Sequence, residues 1–296
     1  MRILVTGANG FIGRRVLNLL LADTGNIVAG VSRHEDILPF SGKYEYFTAD
    51  LTDRNSAKKC LDTFAPDVIV NTAAVSVMSK CESDPDYAHM LNVELVQTLA
   101  TWCKLHKARL VQLSTDTVFS SAEKIFHKEE DETCPPNVYG KTKEEAEKII
   151  INTCQDYAIV RVVLVYGKPI EGQHGNIVKL VYDKLSAGET INIVNDQWRT
   201  PTYVEDVAES VRRLIGLNKS GIWHICGAEC LSIYEIALMV ASTCGLDSSL
   251  IRPVSSDSMA TGFARPIYGL LDISKAVKEL DFTPLSLDEA LRKELM

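Results

Sequence analysis

No stretch of this 296-residue chain reaches the ~20 consecutive apolar residues that a membrane-spanning helix requires. Basic charge is also short: 31 Lys and Arg stand against 39 Asp and Glu, a net charge of −8. That balance argues against a nucleic-acid or anionic-membrane surface and favours a small ligand. The eight cysteines lack paired spacing and lie mostly inside apolar runs, so no disulfide scaffold is expected. Cys226 and Cys230 are the only close pair, and no second pair or His cluster completes a tetrahedral zinc set. We expect buried filler there and no metal. No charged and apolar leader precedes the first strand, so the chain reads as cytoplasmic with reduced thiols. Internal repeats and low-complexity segments are missing too.

What is present is a globular composition, 46% hydrophobic and 24% charged, at a length that leaves the domain count between one and two. "RILVTG" reads as a strand ending in Gly, and "RRVLNLLLA" as a helix with Val16, Leu17, Leu20 and Leu21 on one face. The alternation recurs through "NIVAGVSR", "YEYFTADL", "SAKKCLDTFA", "PDVIVNTAA", the long helix "AHMLNVELVQTLATWCKLH", "ARLVQLST", a helix opened by "PPNVYGKTKEE", and "YAIVRVVLVYG". Strands rich in Val, Ile and Leu alternating with helices predict an α/β fold, a doubly wound parallel sheet of Rossmann type, with a smaller C-terminal α/β lobe. We expect the dinucleotide-binding domain at 1–167 and 203–226, and the substrate lobe at 168–202 and 227–296. After Gly167, "EGQHGN" reads as a loop between strand and helix.

In open α/β sheets the ligand crevice lies beyond the carboxyl ends of the strands. The first such turn, "TGANGFIG", sets Gly7, Gly10 and Gly13 in G-x-x-G-x-x-G spacing with Asn9, Phe11 and Ile12 between them. Glycines there permit a tight turn, close approach of a pyrophosphate and close helix packing, and the helix N-terminus adds N–H groups. The second strand runs out into Ser32, Arg33 and His34, with no acid for a ribose 2′-hydroxyl. Arg33 can grip a 2′-phosphate, which favours NADP(H) and leaves NAD(H) possible; a solvated loop Arg is the alternative. Asp50 and Leu51 are suited to bracket the adenine, although Asp50 could serve only as a cap for the helix at Arg54.

The fifth strand ends in "LSTDTVF", where the Ser114 and Thr115 hydroxyls could face the nicotinamide end. Tyr139 and Lys143 sit one helical turn apart on one face of the following helix. A phenol with an ordinary pKa near ~10 needs a nearby cation to act as an acid at neutral pH, and Lys143 can be that cation. With Thr115 as hydrogen-bond donor, the set suits reduction of a carbonyl. Spacing of this kind is common on surface helices, so its weight comes from the glycine turn and strand end upstream. Glu144, Glu145 and Glu147 are expected on the solvated face.

"TGANGFIG", "NTAA" at Asn71–Ala74, "STDTVF", "NVYGKTKEEAE" and "NDQWRTP", in this order, resemble the extended short-chain dehydrogenase/reductases, and within them the dTDP-4-dehydrorhamnose reductases. The resemblance covers most of the chain. It implies NAD(P)H-dependent reduction of a 4-keto nucleotide-sugar, a Thr-Tyr-Lys set on Thr115, Tyr139 and Lys143, and cofactor contacts from the glycine turn, Asp50, Leu51, Ala73 and Ala74. Asn92 resembles the family's supporting Asn; an ordinary helix Asn is the alternative. A homodimer is possible on the same precedent. Two positions depart: the family's aromatic residues in "STDYVF" and "RTSWVYG" are here Thr117 and Leu164, which puts the rhamnose precursor as substrate in doubt. Val75, Thr117 and Leu164 are expected to line the sugar site, and Arg199 and Arg265 to meet a diphosphate, though each Arg alone reads as a surface ion-pair partner. A related regulatory subunit of methionine adenosyltransferase keeps a non-catalytic NADP-binding role open. An epimerase with tightly held NAD is disfavoured by the missing acid at Ser32–His34.

Overall fold

Near-continuous runs of Val, Ile and Leu leave a strand apolar on both faces, which suits the middle of a sheet covered by helices. The computed structural model describes residues 1–23, 25–37, 44–170, 173, 175–217, 219–259 and 262–295. In chain order the first half comprises β1 (Arg2–Thr6), α1 (Phe11–Ala22), β2 (Ile27–Ser32), β3 (Glu45–Thr48), α2 (Arg54–Phe64) and β4 (Val68–Asn71). Then come α3 (Met78–Ser83), α4 (Pro85–His89), a π-helical turn (Met90–Glu94), α5 (Leu95–His106), β5 (Arg109–Thr115), α6 (Val138–Thr153), β6 (Tyr157–Val162) and β7 (Val165–Tyr166). The second half holds α7 (Ile177–Ser186), β8 (Ile191–Val194), β9 (Trp198–Arg199), β10 (Thr202–Tyr203), α8 (Val204–Gly216) and β11 (Gly221–Ile225). It ends with β12 (Leu231–Ser232), α9 (Ile233–Cys244), β13 (Ile251–Val254), β14 (Tyr268–Gly269), α10 (Ser274–Leu280) and α11 (Leu287–Leu295).

Seven strands pair in the order β11-β6-β5-β4-β1-β2-β3, all parallel. The order reverses at β1 and β4, so the crevice opens beyond their carboxyl ends. On one face Val16, Leu17 and Leu20 of α1 pack with Val207, Val211 and Leu214 of α8. On the other, Leu61 and Phe64 of α2 pack with Leu95 and Leu99 of α5 and Ile150 of α6. This is the Rossmann-like, doubly wound arrangement. The chain returns to it late: β11 adds to β6 with Trp223 opposite Val160.

A third apolar cluster joins Val178 and Val181 of α7, Ile236 and Val240 of α9, and Leu287 and Leu291 of α11, over the β8–β13 pair. One stretch expected in that lobe lies elsewhere: Ala276, Leu280 and Phe282 pack into the core of the main sheet, because α10 follows β11 across its edge. The helix read as continuous from Ala88 to His106 is interrupted by the π-helical turn, which carries Asn92 inward. Of the loop read at 171–176, residues 171, 172 and 174 lie outside the described residues. No helix among the described residues is long and apolar enough to cross a membrane.

Candidate active site

A cavity of ≈ 1000 Å³ opens beyond β1, β4 and β5, lined by Asn9–Gly13 at one end and by α7, Gln197 and Arg265 at the other. Its first wall is the glycine turn. Gly7 has φ +65°, and a Cβ on Gly13 would lie 2.3 Å from the Gly7 carbonyl oxygen. Such a cradle has no room for a side chain. No side chain caps α1, so its leading N–H groups face the cavity end where a phosphate is held in folds of this kind. Asn9 is tied down: Nδ2 donates to the Glu35 carbonyl at 2.7 Å, and Oδ1 accepts from Arg14. Asp36, four residues past β2, is ion-paired with buried Arg14. Arg33 stays exposed beyond β2, its Nη1 donating to the Tyr87 hydroxyl at 2.9 Å. These features fit a dinucleotide carrying a 2′-phosphate.

Ser32, Asp50, Leu51 and Val75, expected as cofactor or substrate contacts, lie outside the cavity lining. Ser32 hydrogen-bonds Tyr46. Asp50 is exposed and accepts from the Thr52 N–H and hydroxyl, while Asp53 caps α2. Leu51 is buried in the α2–α5 core, and the Val75 side chain packs with Cys81 and Ala88. Ala74 lines the cavity, with Ala73 beside it and tight against Gly7.

Thr115, Tyr139 and Lys143 line one stretch of the cavity. Their helix starts where it does because the Asn137 side chain accepts from the Gly140 N–H at 2.9 Å, and Pro135 and Pro136 hold the approach extended. Burial pushes the Tyr139 phenol well above its ordinary value; Asp116 adds to this, and a hydrogen bond with Thr115 offsets part of it. Lys143 is buried and donates to the Leu113 carbonyl at 2.6 Å. Burial pulls its ammonium down to about 8, against the attraction of Glu147. The phenol expected to be lowered by Lys143 is instead raised by burial, with Thr115 as the group that offsets part of the rise.

Asn92 has no surface in the cavity. It accepts from the Val75 N–H at 2.8 Å and donates to the Val75 carbonyl at 3.1 Å and to the Thr142 hydroxyl at 3.0 Å. It therefore clamps the loop after β4 to α6, between Tyr139 and Lys143. Asp116 was missed as a site residue although it follows Thr115; it is buried, lines the cavity, and accepts from the Thr115 hydroxyl at 3.0 Å. Burial raises its carboxyl above the usual range, with Arg199 opposing.

Arg199 lines the same cavity but does not present a free fork to a diphosphate. Its guanidinium donates to the Trp198, Pro266 and Ile267 carbonyls at 2.7, 2.9 and 3.2 Å. Arg265 is exposed at the rim. Thr117 and Leu164 both line the wall, and Leu164 has φ +39°, a strained value for a residue with a Cβ. Gln173 donates to the Asn9 and Gly10 carbonyls at 3.0 and 3.1 Å, which ties it to the glycine turn. No periodicity marked Gln173 or the α7 residues, because they reach the cavity from a loop-led lobe.

The chain is 33% identical to a dTDP-4-keto-6-deoxy-D-glucose reductase of Streptomyces niveus, covering 96% of this chain and 92% of that one. It is 32% identical to methionine adenosyltransferase 2 subunit beta of Pongo abelii, over 93% of this chain and 81% of that one. Among solved structures, a dTDP-4-dehydrorhamnose reductase of Clostridium acetobutylicum superposes with a TM-score of 0.88 at 28% identity, covering 100% and 98% of the two chains. Another, from Bacillus anthracis in complex with NADP, gives 0.84 at 26% identity over 99% and 98%. The profile of the RmlD substrate binding domain matches residues 1–296, and the chain belongs to that family.

Proposed function

We propose that this protein is an NADPH-dependent reductase of a 4-keto nucleotide-sugar, with Tyr139 as the proton donor. The observation that carries it is the meeting of Thr115, Tyr139 and Lys143 in one cavity continuous with the Gly10–Gly13 turn. Bound NADPH supplies the hydride. Tyr139 holds its proton throughout the neutral range because burial raises the phenol, so it can give that proton to a developing alkoxide. Thr115 donates a hydrogen bond to the same oxygen, and Lys143 balances the phenolate left behind. The sugar wall is aliphatic at Leu164 and small at Thr117, which favours a hexose with little need for aromatic stacking. Arg265 at the rim meets the diphosphate. The same reading makes the protein cytoplasmic, with a homodimer allowed. A second reading, an NADP-binding regulatory subunit, is kept by the likeness to methionine adenosyltransferase 2 subunit beta.

A screen of 4-keto nucleotide-sugars for NADPH oxidation separates the two. Turnover supports the reductase; NADPH binding with complete silence supports the regulatory reading. NADPH is expected to bind roughly tenfold or more tightly than NADH, and Arg33→Gln to erase most of that gap, as befits one charge-assisted contact to phosphate. Equal preference in the unaltered protein would remove Arg33 from the site.

The lysine gives a pH signature. Below about 8 Lys143 is protonated and charged, and above it the charge is lost. NADPH affinity and kcat/KM are therefore expected to fall as pH rises through about 8. Stability should move oppositely: the unfolded lysine keeps its ordinary, higher value, so between the two the unfolded state binds more protons and folding is favoured by rising pH. A flat affinity profile from pH 7 to 9 would contradict the assignment.

A further inference from the structure

Glu147, expected on the solvated face of α6, is almost fully buried, and the reaction outlined above does not use it. Its Oε1 accepts from the Ser114 hydroxyl at 2.5 Å and from Arg161 Nε at 3.0 Å, and its Oε2 accepts from Arg161 Nη2 at 2.6 Å. Arg161, from β6, is buried as deeply; its guanidinium lies 4.9 Å from the Phe119 ring centre, and Nη1 sits 3.3 Å from His224 Nε2. Burial together with the Arg161 charge, and with a smaller effect from Lys275, holds His224 neutral, at about 3. One turn before Glu147, Lys143 bonds the Leu113 carbonyl while Glu147 holds the Ser114 side chain. Two successive residues at the end of β5 are thus fixed by two successive turns of α6, immediately before Thr115.

We propose that Glu147 and Arg161 act as one positioning unit that seats Lys143 against β5 and sets the charge it carries. The inference rests on the reductase reading for its part in the reaction. Alone, a buried Glu147 would hold the lysine firmly charged; with its carboxylate gripped in two places by Arg161, it does so only in part. Lys143 and Arg161 thus share one buried carboxylate, and Arg161 also helps hold the Glu144 carboxyl below its ordinary range. The other titratable groups around Lys143 are Tyr139 on its own helix, Cys81 of α3, and Asp116 beyond the phenol. Burial raises the Cys81 thiol to about 11, so it stays neutral.

The two members of the unit predict opposite effects, which a purely structural role would not produce. Lysine-selective 15N labelling reads the Lys143 Nζ titration directly, with neither cofactor nor substrate. Glu147→Gln leaves Arg161 unbalanced and should move the midpoint down; Arg161→Gln frees the carboxylate for the lysine and should move it up. Each shift is expected to be about one to two pH units, the effect a single neighbouring charge typically has on a buried group. The double variant should return toward the starting value, and Glu147→Asp, which keeps the charge, should stay near it. Should the single variants fail to fold, Ser114→Ala removes one donor from the carboxylate and is expected to shift the midpoint upward. Shifts in the same direction, or none in any folded variant, would overturn the proposal. A silent substrate screen would sink the reductase reading while leaving this titration intact.

Discussion

Replacing Tyr139 by Phe is expected to leave NADPH affinity within about twofold and to lower kcat/KM by roughly 10² to 10⁴, the usual contribution of a positioned proton donor. The ring is retained, so its packing against Val75, Cys81 and Ala88 survives, and the melting temperature should hardly change. Only the hydroxyl is lost, and with it the hydrogen bond to Thr115. Because burial raises the phenol, it remains protonated up to high pH. That is what an acid needs before transfer, yet it makes the transfer itself harder. Lys143 and Thr115 must therefore stabilise the phenolate and the alkoxide as charge appears, and the loss should fall on kcat more than on KM. Single-turnover oxidation of NADPH, followed by fluorescence, measures this directly. Undiminished turnover in Tyr139→Phe would take the phenol out of the reaction and move attention to Asp116, the cavity-lining acid hydrogen-bonded to Thr115.

The sheet, its covering helices and the glycine turn were legible because each follows from local rules: apolar runs make buried strands, and a Gly-rich strand-to-helix turn makes a phosphate cradle. The late return of β11 to the sheet was legible as an option. What failed did so for a common reason, the inward placement of polar residues. Glu147 was assigned to solvent by its company with Glu144 and Glu145, although it continues the four-residue spacing of Tyr139 and Lys143 and so shares their face. The signal was present and was outweighed by a rule for acids near helix starts. Arg199 was read as a ligand contact, but two of the carbonyls that satisfy it, those of Pro266 and Ile267 just before β14, come from a segment more than sixty residues away. No local pattern announces such a partner. Leu51 and Val75 show the converse: position after a strand suggested the crevice, while burial of the apolar side chain decided the matter. Asn92 was found by resemblance, and its task, holding Val75 to Thr142 through a π-helical turn, depends on an irregularity that helical periodicity does not encode.

Gly13→Ala is expected to have the second large effect. The added methyl would sit 2.3 Å from the Gly7 carbonyl oxygen and 2.6 Å from Thr72 Oγ1. Neither can yield cheaply. The Gly7 carbonyl accepts from the Gly10 N–H at 2.7 Å, and Thr72 Oγ1 donates to the Thr6 carbonyl at 2.7 Å, joining β1 to the end of β4. The first turn of α1 must then lift away from the sheet at the point where its N–H groups face the cavity. Overpacking of this kind costs about 1–3 kcal/mol of stability, and misplacing the cradle should weaken NADPH binding more than tenfold. Gly216→Ala is the control: a methyl there meets nothing within 4 Å at the exposed end of α8. It should be neutral or stabilising by about 0.4–1 kcal/mol through the unfolded chain. Melting curves with and without NADPH measure both terms, since ligand stabilisation scales with affinity. If Gly13→Ala keeps the full NADPH-induced rise in Tm, the turn does not hold the cofactor, and the dinucleotide must be sought elsewhere on the sheet.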